Sequence, residues 1–129
     1  KFFCDGAMGS WTAAMLQPYS DRPTTKGTLI YNTSELLAGV KQWKNAGYQV
    51  SAHAIGDAAN RQILDVYEQA SAKAADRFRV EHVQILSEQD LPRFARLSDD
   101  LLSLAHPPRE VSTALPHTRP QGAHRRRLL

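Results

Sequence analysis

The sequence is poor in cysteine and in long apolar runs, and each absence excludes a class of protein. A single cysteine, Cys4, excludes an intramolecular disulfide framework and fits a reducing compartment. No apolar run approaches the ~20 residues that a membrane-spanning helix needs, so we expect no membrane partner. No signal peptide is visible, and we expect a cytoplasmic protein. The 42% hydrophobic and 22% charged residues are typical of a globular domain.

The basic residues are concentrated at one end of the chain. Residues 105–129 contain five arginines and one acidic residue, whereas residues 1–104 have a net charge of −1. The tail is also rich in proline and histidine and lacks a helical or strand period. We therefore expect residues 105–129 to be a disordered or out-of-frame tail. Its three consecutive arginines have no interleaved aromatic residues, and we do not expect a nucleic-acid partner.

Three short apolar runs alternate with helical patterns in the rest of the chain. Helices are predicted to start at Ser34, at Asp57 and at either Ser87 or Asp90, where the first residue of each can cap the helix. The predicted strands cover residues 1–4, 48–52 and 77–81, and the first two helices cover residues 34–46 and 57–75. Between residues 7 and 32 there is no sustained period, and we expect an ordered lid-like loop.

Alternating strands and helices predict a parallel sheet with right-handed crossovers. The 29-residue spacing between His53 and His82 is about one eighth of a ~250-residue (β/α)8 barrel. Three units cannot close a barrel. The fold class we predict is α/β, a partial (β/α)8 TIM-type barrel of about three βα units at residues 1–104, with an open α/β sheet as the other reading.

Polar residues accompany all three predicted strands. Three strand ends carry Lys1, His53 and His82, and we expect these three side chains to point into one shared crevice. In parallel α/β folds the carboxyl ends of the strands line one crevice, where two imidazoles can bind one metal ion. A single histidine at such a place is more often a hydrogen-bonded structural residue, so the repetition is the signal. Alternation along the strand predicts that Glu81 points away from His82.

Three ordered motifs resemble a known family. They are K-x-x-x-D-G-x-x-G-S at residues 1–10, H-A-I-G-D at residues 53–57 and E-H-x-Q-x-L-S at residues 81–87. Together they resemble the amidohydrolase superfamily, specifically a central fragment of the amidohydrolase 3 group of N-substituted formamide deformylase-like enzymes. The resemblance covers residues 1 to about 97. It implies a (β/α)8 barrel that binds one or two divalent metal ions, usually zinc.

The resemblance also implies roles for individual residues. Lys1 matches a carboxylated lysine that bridges metal ions, and His53 and His82 match the metal ligands of the next two strands. Asp5 and Asp57 are candidates for substrate contact or for support of the ligands, although Asp57 is also explained as a helix N-cap. No residue is assigned as the catalytic acid or base.

The activity implied by the resemblance is hydrolysis of a non-peptide C–N bond, in a small-molecule amide or formamide, by metal-activated water. The family's H-x-H motif and its final aspartate ligand have no counterpart in this sequence. An alternative is therefore a catalytically inactive truncated product that acts, if at all, through protein association. Self-association through open sheet edges is the form of association that we expect.

Overall fold

A computed structural model describes residues 1–97, which form a mixed α/β fold around a parallel sheet. The order of the sheet is β1-β2-β3, with both neighbouring pairs parallel. The strands are β1 (Phe2–Phe3), β2 (Ser51–Ala54) and β3 (Arg79–His82). The predicted α/β class with parallel strands is thus confirmed for this part of the chain. The predicted tail, residues 105–129, lies outside the described residues.

Within the described part of the chain, three α-helices accompany the sheet. They are α1 (Thr33–Asn45), α2 (Asp57–Gln69) and α3 (Leu91–Leu97). The prediction that Ser34 caps α1 is wrong, because the Asn32 side chain accepts a hydrogen bond from the Glu35 amide at 2.9 Å. The Glu35 carboxylate in turn accepts from the Asn32 amide, which completes a capping box. Within residues 1–97 no helix is long and apolar enough to cross a bilayer.

The start of α2 also differs from the sequence prediction. Gly56 is the N-cap residue, and Asp57 is the first residue of the helix. The Asp57 carboxylate accepts a hydrogen bond from the Leu16 amide at 2.8 Å, so it binds a distant loop and not its own helix. The helix ends at Gln69, before the predicted residue 75, and Ser71 just beyond it has a φ of +52°.

The core lies on one face of the sheet. Cys4, which follows β1, and the alternate strand residues Ala52, Ala54 and Val80 are buried there against α1 and α2. The helices contribute the apolar side chains of Leu36, Val40, Ile63, Leu64, Val66 and Tyr67. The other face carries Lys1, Phe3, Ser51, His53, Arg79 and Glu81, which are all partly or fully exposed. Parallel sheets are ordinarily covered on both faces, so within residues 1–97 this face is the unusual one.

The predicted loop of residues 7–32 is confirmed as a packed segment with little regular structure. Its one short helical piece is a 3-10 turn at Met8–Ser10. Tyr19 is buried and donates a hydrogen bond to the Ala13 carbonyl at 2.7 Å. The loop also meets the turn after β2, where the Ala58 amide donates to the Ala14 carbonyl at 3.1 Å. Its course is therefore fixed by the segment that follows His53.

Candidate metal centre

The parallel sheet brings His53 and His82 into direct contact. In the register of β2 and β3, His53 pairs with Glu81 and Ala54 pairs with His82. The two imidazole rings lie with their centroids 4.8 Å apart and their planes at 70°. The two histidines that the sequence singled out are thus neighbours at the carboxyl ends of adjacent strands.

The backbone is unusual where β3 ends. His82 has a φ of +80°, and Val83, a β-branched residue, has a φ of +40°. Such positive values for non-glycine residues cost about 1–3 kcal/mol each and tend to occur at functional sites. Regular alternation would place His82 and Glu81 on opposite faces of the sheet. The alternation ends at this left-handed turn, and the ring of His82 nevertheless contacts His53.

The hydrogen bonds of His53 determine which of its ring nitrogens is free. Its Nε2 atom lies 2.8 Å from the Gly6 carbonyl oxygen and 3.2 Å from Asp5 Oδ1. Both neighbours are acceptors, so Nε2 carries the proton and donates it. In the neutral ring, Nδ1 then keeps the lone pair that a metal ion would need.

Asp5 lies behind His53 as a buried carboxylate with several partners. One oxygen, Oδ2, accepts from the Ala14 amide at 2.9 Å and from the Gly56 amide at 2.8 Å. The other, Oδ1, accepts from the Ile55 amide at 3.0 Å. Asp5 is therefore fully engaged as a support for the surrounding backbone and for the His53 ring.

Lys1 shares the open face of the sheet with His53. Phe3 pairs with His53 in the register of β1 and β2, and alternation places Lys1 on the same side as Phe3. The Lys1 Nζ atom lies 5.1 Å from the centroid of the Phe3 ring, which itself lies 5.6 Å from the His53 ring. Phe3 thus links the lysine to the histidine pair.

Local electrostatics favour the neutral form of His82. Partial burial lowers the pKa of His82, and the neighbouring His53 and Lys1 act in the same direction. Because the charged form is disfavoured, the ring is neutral over a wider pH range than an ordinary histidine. Neutral imidazole is the form that coordinates metal ions.

Glu81 lies on the open face of the sheet, where strand alternation places it beside His53. Partial burial acts to raise the pKa of Glu81, but hydrogen bonds from Ser51 and Arg79 outweigh it and hold that pKa below its usual value. Both bonds go to Oε1, at 3.0 Å each. Glu81 is in register with His53, so the alternation is correct, and it is His82 that departs from it.

These residues fit part of a metal centre. Two imidazoles converge, and the hydrogen bond that Nε2 of His53 makes to Gly6 defines Nδ1 as its metal-binding nitrogen. Among residues 1–97, no group of three or more histidine, cysteine, aspartate or glutamate side chains is arranged to hold a metal ion. A third ligand from this part of the chain would have to be of another kind, and Lys1 is the candidate on the same face.

A cleft in the described region lies apart from the histidine pair. A cleft of about 200 Å³ is bordered by Lys1, Phe2, Trp43, Tyr48, Gln49 and Val50. These residues surround the amino ends of the strands, whereas the histidine pair lies at the carboxyl ends. The expectation that Lys1 lies at the same strand ends as the histidines is therefore wrong, because Lys1 precedes β1 and it is Phe3 that pairs with His53. Of the residues that the sequence singled out, this cleft is bordered by Lys1 alone.

Sequence reasoning missed how Asp5 is used. An aspartate followed by a glycine reads as a turn, and the binding partners of Asp5 lie up to 51 residues away along the chain. The sequence signal that could have indicated more was the position of Asp5 directly after a strand in the same sheet as His53. Asp57, the other acidic candidate, binds the Leu16 amide and has no described contact with either histidine.

Comparison with known proteins gives the same family along most of the chain. The profile of the amidohydrolase family matches residues 1–107. Protein LONG AFTER FAR-RED 3 of Arabidopsis thaliana is 39% identical over 100 residues, covering 75% of this chain and 17% of that protein. "Putative amidohydrolase YtcJ" of Bacillus subtilis (strain 168) is 34% identical over 97 residues, covering 75% of this chain and 18% of that protein.

A solved structure agrees with these sequence relatives. An uncharacterized metal-dependent hydrolase from Pyrococcus furiosus superposes with a TM-score of 0.68 at 36% identity, covering 74% of this chain and 20% of that one. The chain thus spans about a fifth of the length of the relatives that it matches. With a family profile matched over most of its length, this chain belongs to the amidohydrolase family.

Proposed function

We propose that this chain contributes three metal ligands to a hydrolase that cleaves the C–N bond of a small non-peptide amide or formamide. The ligands are Lys1 in its carboxylated form, His53 through Nδ1, and His82. Zinc is the ion that we propose, as one or two ions. The subgroup that fits the proposal is that of N-substituted formamide deformylase-like enzymes.

The contact between the rings of His53 and His82 is the observation that carries this proposal. Two imidazoles from adjacent parallel strands lie 4.8 Å apart at the carboxyl ends of the sheet. The His53 ring donates a hydrogen bond from Nε2 to the Gly6 carbonyl, so Nδ1 remains available for a metal ion. In a member of the amidohydrolase family, such a pair is best explained as two ligands of one metal centre.

Each residue of the proposed metal centre has a separate role. A bound divalent ion supplies a lowered pKa for a water molecule, from ~15.7 towards ~7, and polarises the substrate carbonyl. His53 and His82 would each provide one ring nitrogen as a metal ligand. The hydrogen bond to the Gly6 carbonyl keeps the His53 proton on Nε2. A protonated lysine has no lone pair, so Lys1 contributes ligand oxygens only after its amine has reacted with carbon dioxide.

The proposal includes a (β/α)8 barrel as the wider architecture. The open face of the sheet carries the polar residues Ser51, Arg79 and Glu81 as well as the histidines, and such a face suits the interior of a barrel. Among the strands of residues 1–97, β1 and β3 each have a partner on one side only. Further strands of the same sheet would pair with those edges and enclose the open face.

Hydrolysis of a defined set of substrates tests the proposal. The protein expressed from its gene would be loaded with zinc and assayed against N-substituted formamides, simple amides and a peptide of similar size. We expect hydrolysis of the first two groups, loss of activity on chelation and recovery on adding zinc. His53→Gln and His82→Gln should each abolish turnover. His106→Gln is the control variant and should retain it. Turnover that survives chelation, or that survives both substitutions, would refute the proposal.

A second candidate function is protein association through the sheet. Phe3 is half exposed on the open face, and the edges of β1 and β3 are available for further pairing within the described region. Size-exclusion chromatography with light scattering tests this candidate. A stable monomer at about 100 μM, well above the dissociation constants of ordinary specific complexes, would contradict it. A dimer that dissociates in Phe3→Ser would support it.

A further inference from the structure

We propose that Asp5 is a positioning residue that fixes the orientation of the His53 ring and keeps its proton on Nε2. The same carboxylate ties the loop of residues 7–32 to the turn after β2. The consequence for metal binding rests on the proposed function, whereas the position of the proton on His53 does not.

The geometry around Asp5 joins three segments at one buried point. The carboxylate extends from the end of β1, and Asp5 is only 2% exposed. Its Oδ2 atom holds the Ala14 amide of the loop and the Gly56 amide of the turn, at 2.9 Å and 2.8 Å. Its Oδ1 atom holds the Ile55 amide at 3.0 Å and lies 3.2 Å from His53 Nε2. A displacement of the loop would therefore shift the acceptor that faces the His53 ring.

The acceptors around Nε2 dictate the tautomer. A carboxylate oxygen and the Gly6 carbonyl oxygen both lie within reach of Nε2, and neither can donate a proton to it. Histidine ligands commonly receive their orientation from such a carboxylate or carbonyl partner on the other nitrogen. Asp5 and Gly6 thus aim Nδ1 away from the buried side of the ring.

Asp57 provides a matched comparison within the same loop. It is also buried, at 7% exposure, and its carboxylate accepts a hydrogen bond from the Leu16 amide at 2.8 Å. Asp5 and Asp57 therefore anchor loop residues two positions apart with equally short bonds. Only Asp5 faces the His53 ring, so the two roles of Asp5 can be separated by comparing the two aspartates.

The substitution Asp5→Asn changes the hydrogen-bonding pattern at one oxygen position. The amide oxygen of asparagine would take the Oδ2 position, where the Ala14 and Gly56 amides both donate. The NH2 group would then take the Oδ1 position, where it faces both His53 Nε2 and the Ile55 amide and can only donate. Asparagine therefore removes one of the two acceptors at Nε2 and leaves the Gly6 carbonyl as the other, so part of the His53 population should carry its proton on Nδ1.

The tautomer of His53 in the unsubstituted protein is the primary measurement. Long-range ¹H–¹⁵N correlation spectra distinguish a protonated ring nitrogen from one with a lone pair, and they require neither metal nor substrate. They would be recorded near pH 8, above the ordinary imidazole pKa of ~6.5. We expect Nε2–H and an unprotonated Nδ1. A predominant Nδ1–H form would overturn the proposal, whatever the behaviour of any variant.

The two aspartate variants complete the test. In Asp5→Asn we expect the Nε2–H population to fall, whereas in Asp57→Asn it should remain that of the unsubstituted protein although a loop anchor is lost. A folded Asp5→Asn protein with unchanged His53 nitrogen shifts would overturn the proposal. If Asp5→Asn does not fold, Asp5→Glu, which keeps the carboxylate but shifts it relative to the His53 ring, takes its place, and unchanged His53 nitrogen shifts in that variant would overturn the proposal.

Zinc binding provides a readout that separates this inference from the proposed function. Loss of a partner that orients a histidine ligand typically weakens metal affinity by ~10–100-fold. We expect a loss of that size in Asp5→Asn and a loss of less than about threefold in Asp57→Asn. Equal losses in both variants would mean that Asp5 acts only as a loop anchor. Failure of the amide assay with the tautomer intact would count against the proposed function alone.

Discussion

The ring of His82 lies against the ring of His53, with 4.8 Å between the two centroids, although Glu81 and not His82 is the register partner of His53. A left-handed turn at His82 and Val83 ends the strand at this point. The histidine pair therefore depends on a local departure from strand geometry as well as on the register of the sheet.

Replacement of Lys1 by methionine should raise the pKa of His82. Partial burial lowers that pKa first, and the charges of His53 and Lys1 add to the effect. Removing the lysine charge removes one contribution, so the pKa should move part of the way back towards ~6.5. A pH titration of the His82 ring by NMR measures it. Lys44→Met, which removes a charge that pairs with Asp76 at 3.4 Å, is the control and should leave His82 unchanged.

The lowered pKa of His82 also predicts the direction of a pH effect on stability. The unfolded chain binds a proton near pH ~6.5, whereas the folded protein binds it only at lower pH. Stability should therefore fall as the pH decreases from ~6.5 to the lowered value and change no further below it. Urea unfolding across this range, compared with His82→Gln, isolates the contribution. A variant with the same pH dependence as the unsubstituted protein would contradict it.

Gly56→Ala should destabilise the contact between the loop and α2. A Cβ atom on Gly56 would lie 1.9 Å from the Ala14 carbonyl oxygen, which already accepts from the Ala58 amide. The backbone must move to relieve this overlap, and forced overpacking costs about 1–3 kcal/mol. Urea unfolding measures the loss. Gly9→Ala is the matched control because a Cβ there meets nothing within 4 Å, and an equal loss in both variants would contradict the prediction.

Arg93→Gln should weaken the packing of α3 against α2 and so lower the stability of the fold. The guanidinium of Arg93 contacts Asp65 at 2.5 Å, Glu68 at 2.8 Å and Asp90 at 3.0 Å. Two of these partners are well exposed, so we expect a loss of only about 1–2 kcal/mol. Arg96→Gln is the control, since Arg96 is 69% exposed at its side chain and 3.8 Å from Glu68. Equal stability of the two variants in urea unfolding would contradict this account.

The same ion pairs predict an effect of acid. The hydrogen bond from Arg93 lowers the pKa of Glu68, outweighing the effect of partial burial. A lowered carboxylate pKa stabilises the fold above the ordinary value of ~4.3, and this stabilisation is lost as the pH falls through the lowered value. The difference in stability between the unsubstituted protein and Arg93→Gln should therefore shrink below pH ~4. A difference that stays constant with pH would contradict it.

The sequence was sufficient for the order of the elements and for the two histidines, because both follow from local patterns. Apolar runs and helical periods indicate which segments alternate, and His53 and His82 stand out because they recur after such runs. The N-cap prediction for Asp57 failed since its carboxylate is used by a loop residue 41 positions away. The contacts of Asp5 depend on the same long-range packing. No local pattern distinguishes a turn aspartate from one that binds three distant amides.

Zinc binding by the histidine pair tests the central claim most directly. The 129-residue chain would carry His106→Gln, His117→Gln and His124→Gln, so that His53 and His82 are its only histidines. Its ring resonances would be followed by NMR as zinc is added, with His53→Gln as the matched variant. We expect the signals of His53 and His82 to shift together. We also expect His53→Gln to weaken zinc binding by more than ~100-fold, which exceeds the loss typical for a residue that only orients a ligand. Binding that leaves both rings unperturbed, or that is unchanged in His53→Gln, would contradict the account.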